Sequence, residues 1–211
     1  MKLFNADLSS NALRVRAVAN ELGVDLEYVG IDLRKRENRS ESFLAMNPNG
    51  KVPVLVDGDF VLWESRAIAA YLATLNPGGN LYPADPKKRA LIDQWSYWHA
   101  IHLGPAMQRV VFETLLKSRL GMGPADEKAV ESGYREIALF MPVLEGNLIG
   151  KDWVAGDLSI ADFAMAATFV FCGPAAISLD ESPNVSAWIT RMESRPSWQK
   201  AVAPVLAFAA A

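Results

Sequence analysis

Cysteine is nearly missing from this chain, with one residue, Cys172, among 211. A single cysteine excludes an intramolecular disulfide and fits a reducing compartment. Histidine is almost as scarce: there are two residues, His99 and His102, and no carboxylate or cysteine cluster accompanies this i, i+3 pair, so no metal centre is expected. Both also lie far along the chain from the serines discussed below, so no Ser-His-Asp arrangement is needed. No uninterrupted apolar stretch reaches transmembrane length, and Phe169-Val170-Phe171-Cys172-Gly173 reads as a buried helix end. No signal peptide precedes the first strand, which makes the expected location cytoplasmic. Basic excess is absent too. A net charge of −3 without a basic stripe gives no reason to expect nucleic acid as a partner. There is no internal repeat and no low-complexity tract beyond a short alanine-rich tail.

What the chain does have is a hydrophobic content of 51%, enough for two cores, and a change of pattern along its length. Lys2-Leu3-Phe4 reads as a strand, and Leu13, Val15, Val18, Ala19 and Leu22 as an amphipathic helix stopping at Gly23. A second strand is expected around 26–32. Val54-Leu55-Val56 and Phe60-Val61-Leu62 flank the turn signal Asp57-Gly58-Asp59 and read as a hairpin. Asn76 to Pro86 is dense in helix breakers. Beyond it apolar residues recur at helical spacing in blocks near 87–120, 125–149, 159–172 and 184–203, with no strand alternation. The expected fold is therefore α/β plus all-α, with an N-terminal domain at 1–76, a linker at 77–86 and a helical domain at 87–211.

Two segments carry the chemistry. In Asn47-Pro48-Asn49-Gly50-Lys51-Val52-Pro53 the proline cannot donate to a strand ladder, and a cis bond there would turn the Val52 backbone outward to pair with an extended peptide. In Trp63-Glu64-Ser65-Arg66-Ala67-Ile68, Ser65 stands where a helix starts, suited to a carboxylate, while Glu64 suits an ammonium group. Together they describe a site for an amino-acid-like head on an extended peptide. The turn Ser9-Ser10-Asn11 places hydroxyls at another helix start, where a donated hydrogen bond and the helix dipole would lower the pKa of a bound thiol from about 8.5. Ordinary N-capping is the other role open to these serines.

On these residues the chain resembles the glutathione transferase superfamily, across essentially its whole length. The resemblance implies a thioredoxin-like N-terminal domain with a Val-cis-Pro turn, an all-helical C-terminal domain, and glutathione as co-substrate. Ser9-Ser10-Asn11-Ala12-Leu13-Arg14-Val15 resembles the serine-type motif with Ser9 in the catalytic place, Ser10 and Asn11 being the alternatives. Val52, Pro53, Glu64 and Ser65 then hold glutathione, joined by Lys51 and by Arg39, which falls where related enzymes place a lysine for the glycine carboxylate. Leu8, Trp98, His102 and Met107 are expected to line a pocket for a small hydrophobic electrophile, between the domains.

Leu158-Ser159-Ile160-Ala161-Asp162-Phe163 reads as a capping box with a hydrophobic staple, a structural signal and not an acid-base pair. The family also implies a homodimer, with Arg66 meeting acidic residues such as Asp93 or Glu113 of the partner. The run Glu64 to Ile68 is similar to phi- and theta-type enzymes and their bacterial relatives. A maleylacetoacetate isomerase-like activity is the competing enzyme reading, because the Ser9 motif also looks like the zeta class. A non-catalytic scaffold of the same fold is the reading from another class.

Overall fold

Strand β1 (Lys2–Asn5) sends alternate side chains to opposite faces of a sheet. Leu3 enters one apolar cluster with Val15, Ala19, Leu26, Leu55, Ile68 and Leu72, whereas Phe4 packs against Phe43, Val52 and Val54 on the other face. The sheet that separates the clusters has the order β2-β1-β3-β4, with β2 at Glu27–Gly30, β3 at Val54–Asp57 and β4 at Phe60–Trp63. β2 runs parallel to β1, and β3 and β4 follow antiparallel. Helices α1 (Ser10–Glu21) and α3 (Ser65–Leu75) bring Val15, Ala19, Ile68 and Leu72 to the first cluster, and α2 (Glu41–Met46) brings Phe43 to the second. This is the expected thioredoxin-like arrangement. The computed structural model describes residues 1–119 and 121–209; Leu120, at the end of the first expected helical block, and residues 210–211 of the alanine-rich tail lie outside that range.

The chain divides into two compact units, one of residues 1–83 with the segment from Ser194 onward, the other Ala84–Glu193. Helix α10 (Pro196–Ala209), at the end of the expected helical domain, packs with the first unit. Polar contacts hold it there. Asn20 Nδ2 donates to Ser197 O at 3.1 Å, buried Arg16 reaches Ala201 O at 3.3 Å, and Glu21 accepts from Arg195 and Ser197.

The second unit starts at α4 (Pro86–Ile101), with Pro86 at its first position and Asp85 capping through bonds from Lys87 N and Lys88 N. The expected helical block 87–120 is not one helix. It stops at His102 and restarts as α5 (Leu103–Val111), a π-turn at Phe112–Leu116 and the short α6 (Lys117–Arg119). Pro105 has no N–H for the carbonyl of Ile101, so α4 cannot continue, and a side chain at Gly104 would meet His99 O at 2.7 Å. Helices α7 (Glu127–Leu148), α8 (Ile160–Phe169) and α9 (Pro183–Glu193) complete the unit, with Met107, Leu144, Phe163, Met165 and Trp188 fully buried. Block 184–203 is likewise split, since a residue before proline avoids helical backbone and Arg195 precedes Pro196.

Glu145 on α7 caps α9, accepting from Asn184 N at 3.0 Å and Val185 N at 2.9 Å. Glu145→Ala is expected to lower stability by about 1–2 kcal/mol, the usual value of a lost cap; a urea midpoint within error of the wild type would refute this.

Candidate functional site

Four connecting segments meet at one end of this sheet. β2 and β1 run parallel with Gly30 beside Asn5, β3 begins where β1 ends, with Val54 opposite Phe4, and β4 ends opposite Val54 at Trp63. The turns after β1 and β2, the loop before β3 and the turn after β4 therefore gather at one end. These carry Ser9, Arg39, Lys51 to Pro53, and Glu64 with Ser65.

Ser9 is the N-cap of α1: its Oγ accepts from Ala12 N at 3.3 Å, and its own N–H donates to Ala6 O at 3.0 Å. Capping uses an oxygen lone pair, which leaves the hydroxyl proton available to a ligand. Capping and donation thus coexist in one side chain. Ser10 is the first helical residue, and Asn11 beside it is exposed.

At the start of α3, Glu64 is exposed and held at φ 72°, ψ 107°, a backbone region that residues other than glycine rarely occupy. Ser65 follows, buried, with its Oγ accepting from Arg14 Nη1 at 2.7 Å. The same Nη1 donates to Asn11 Oδ1 at 2.8 Å. One guanidinium therefore joins the starts of α1 and α3. Burial lowers the Arg14 pKa well below its ordinary value, neighbouring Arg66 lowers it further, and Glu64 opposes both. Burial also brings Arg66 down to about 10, again opposed by Glu64.

The loop before β3 is organised by buried Asn47, whose Nδ2 donates to Lys51 O at 2.7 Å and whose Oδ1 accepts from Asn49 N at 3.1 Å. The Val52-Pro53 bond is cis, and both residues are buried. Gly50, at φ 61°, lies against the preceding turn: Asn38 Nδ2 donates to its carbonyl at 2.7 Å, and a Cβ there would stand 2.7 Å from Arg39 Nη1. Arg39 and Lys51, both exposed, thus flank Gly50.

Two family descriptions match this chain, the glutathione S-transferase N-terminal domain over residues 1–74 and the glutathione S-transferase C-terminal domain over 103–196. A probable glutathione S-transferase of Oryza sativa subsp. japonica is 38% identical over 203 residues, covering 95% of this chain and 94% of its own. The chain belongs to the glutathione S-transferase family. It is a glutathione-dependent transferase by that membership. Glutathione S-transferase 3 of Zea mays is 36% identical over 211 residues, covering 97% of this chain and 94% of its own. Among solved structures, glutathione S-transferase I from maize, in complex with an atrazine glutathione conjugate, superposes with a TM-score of 0.88 at 35% identity, covering 97% of each chain. Glutathione transferase F7 from Populus trichocarpa gives a TM-score of 0.90 at 28% identity, covering 97% of this chain and 98% of its own.

The residues expected for the electrophile are spread over both units. Leu8, exposed, lies in the first unit beside Ser9. In the second, His102 and Trp98 belong to an aromatic group, with ring centroids 5.0 Å from His102 to Phe140 and 6.4 Å from Trp98 to Phe140. Met107 is fully buried in the core of that unit. Glu113 is engaged inside its own unit by Lys117 Nζ and Asp126 N, both at 2.7 Å. Among the described residues no group of His, Cys, Asp and Glu could hold a metal ion, and no helix is long and apolar enough to cross a membrane.

The sequence reading assigned no role to Arg14, Asn38 or Asn47. For Arg14 a local signal existed, its i, i+3 spacing from Asn11 on one helix face. Its bond to Ser65 spans 51 residues and has no local signature.

A change at Gly50 tests the loop. Gly50→Ala is expected to cost about 2 kcal/mol, from the positive φ and the contacts with Asn38 O and Arg39, and to raise KM for glutathione several-fold as Arg39 is displaced. An unchanged KM in a folded variant would separate Arg39 from glutathione binding.

Proposed function

We propose that this transferase conjugates glutathione to small hydrophobic electrophiles, with the Ser9 hydroxyl donating a hydrogen bond to the glutathione thiolate. The observation that supports it best is the sheet register, which gathers the Ser9 turn, the Arg39 turn, the Val52-Pro53 loop and the Glu64-Ser65 turn at one end. In this reading Glu64 takes the γ-glutamyl ammonium, and Ser65 with the α3 N-terminus takes the adjacent carboxylate. Val52 pairs with the extended peptide through its backbone, and Arg39 and Lys51 attract the glycine carboxylate.

The chemistry asks little of the protein beyond stabilising a charge. The thiol loses its proton to solvent, the sulfur anion is held by the Ser9 O–H and the positive end of α1, and the sulfur then attacks the electrophilic carbon, either displacing a leaving group as its anion or adding to an activated double bond whose electron pair takes a proton from solvent. Each unit by which the thiol pKa falls is worth about 1.4 kcal/mol. Serine acts as a donor and not as a nucleophile. Ser10 and Asn11 sit in the first turn of the same helix and are the alternative donors.

The transferase works as a cytoplasmic homodimer in this reading. Tyr97 and Ile101, exposed and one turn apart on α4, supply apolar surface that supports the dimer, and sedimentation of the purified protein tests it. For the site itself, the ultraviolet thiolate absorbance of bound glutathione is followed against pH. A thiol pKa below its free value supports activation, whereas binding with an unshifted pKa would overturn it.

A further inference from the structure

We infer that Arg14 is a positioning residue for this site, an assignment that rests on the glutathione reading above: its guanidinium fixes Asn11 and Ser65 so that each offers the ligand donors only. The two hydrogens on Nη1 are committed to Asn11 Oδ1 at 2.8 Å and Ser65 Oγ at 2.7 Å. A guanidinium has donors and no acceptor. It therefore selects the oxygen of the Asn11 amide and leaves the Nδ2 donor of this exposed residue for another acceptor. On Ser65 it occupies a hydroxyl lone pair, so the Ser65 proton must be given to some other acceptor.

Both choices suit an anionic ligand. Asparagine and serine are ambivalent groups that accept as readily as they donate. A sulfur anion at the start of α1 and a carboxylate at the start of α3 are acceptors only, and either would be repelled by an amide oxygen or a lone pair turned towards it. Arg14 removes that ambiguity at both helix starts at once. Its placement makes the constraint rigid: the side chain is 3% exposed and rises from the middle of α1, whose neighbours Ala12, Leu13 and Val15 are fully buried. A lysine is a poor replacement, because an ammonium on a flexible stem does not fix the directions of its donors as the planar guanidinium fixes the two hydrogens of Nη1.

The test uses Arg14→Lys and Arg14→Met in the full chain, measuring the thiol pKa of bound glutathione, KM for glutathione and kcat. The expected result is a thiol pKa raised by about one unit, a tenfold loss of thiolate at neutral pH, together with a KM for glutathione raised about tenfold. Activity of the variants at saturating glutathione should recover as pH rises past the new pKa. A purely structural arginine would instead reduce the fraction of folded enzyme and leave the thiol pKa of the remainder at the wild-type value, which overturns the assignment.

Should both Arg14 variants fail to fold, Asn11→Ala decides, because Asn11 is exposed and the change adds no charge beside the sulfur. It deletes the donor that Arg14 orients, and is expected to raise the thiol pKa. An unchanged pKa in Asn11→Ala overturns the inference. An unshifted pKa in the wild type marks failure of the activation reading itself, while a wild-type shift that survives in every variant marks failure of the Arg14 role alone.

Discussion

Ser9→Ala is expected to lower kcat/KM for glutathione conjugation by about 10²-fold or more, the usual cost of deleting a donor aimed at a developing or stabilised anion. The thiol pKa of bound glutathione should return towards about 8.5 in the same variant. Because Ser9 also caps α1 through the bond from Ala12 N, the variant loses about 1 kcal/mol of stability as well. The two effects separate in the assay: lost capping moves the thermal midpoint, and lost donation moves the pKa. Ser9→Thr retains the hydroxyl and should keep most of the shift. A full pKa shift in Ser9→Ala would pass the donor role to Ser10 or Asn11.

Asp162→Ala should lose about 4 kcal/mol of stability, with little effect on the glutathione thiol pKa in whatever folded protein remains. The fully buried carboxylate accepts from Val154 N, Ser159 N, Ser159 Oγ and Trp188 Nε1, at 2.9 to 3.0 Å. Removing it strands all four donors away from water, which is why the loss exceeds that of an ordinary cap. Denaturant midpoints measure it, and a shift below 1 kcal/mol would refute it.

The same group makes stability depend on pH. Burial pushes the Asp162 carboxyl up to about 6 from its ordinary 3.8, with the four hydrogen bonds pulling the other way. A raised folded pKa means that the folded chain binds the proton more tightly than the unfolded one. The contribution is therefore fully present below pH 3.8 and is lost as pH rises through about 6, at no more than about 1.4 kcal/mol per pH unit. Subtracting the stability of Asp162→Asn, which cannot titrate there, isolates this slope. A difference that increases with pH across the window would overturn the sign.

Much of the first unit was legible because its determinants are local. The hairpin announces itself in Asp57-Gly58-Asp59, and the alternation at Leu3 and Phe4 or Val54 and Leu55 assigns side chains to the sheet's two faces. The Ser159–Asp162 box was equally plain, since both partners lie within one turn. Helix boundaries in the second half were less so. Periodicity runs straight through His102, and only Gly104 and Pro105 hinted that one block would break into separate helices.

By itself the sequence determined which residues have the right chemistry and which local turns they occupy: Ser9 before a helix, Glu64 and Ser65 before another, and a Val-Pro step after a glycine loop. Hydrogen bonding within four residues and side-chain periodicity suffice for that. Tertiary structure alone decided that the four turns meet at one end of the sheet, that Arg14 links Asn11 to Ser65, and that α10 packs with the first unit. These depend on strand register and on contacts between residues far apart in the chain, such as Arg16 with Ala201. A linear pattern does not encode such pairings, because many distant partners would satisfy the same burial and hydrogen-bonding needs.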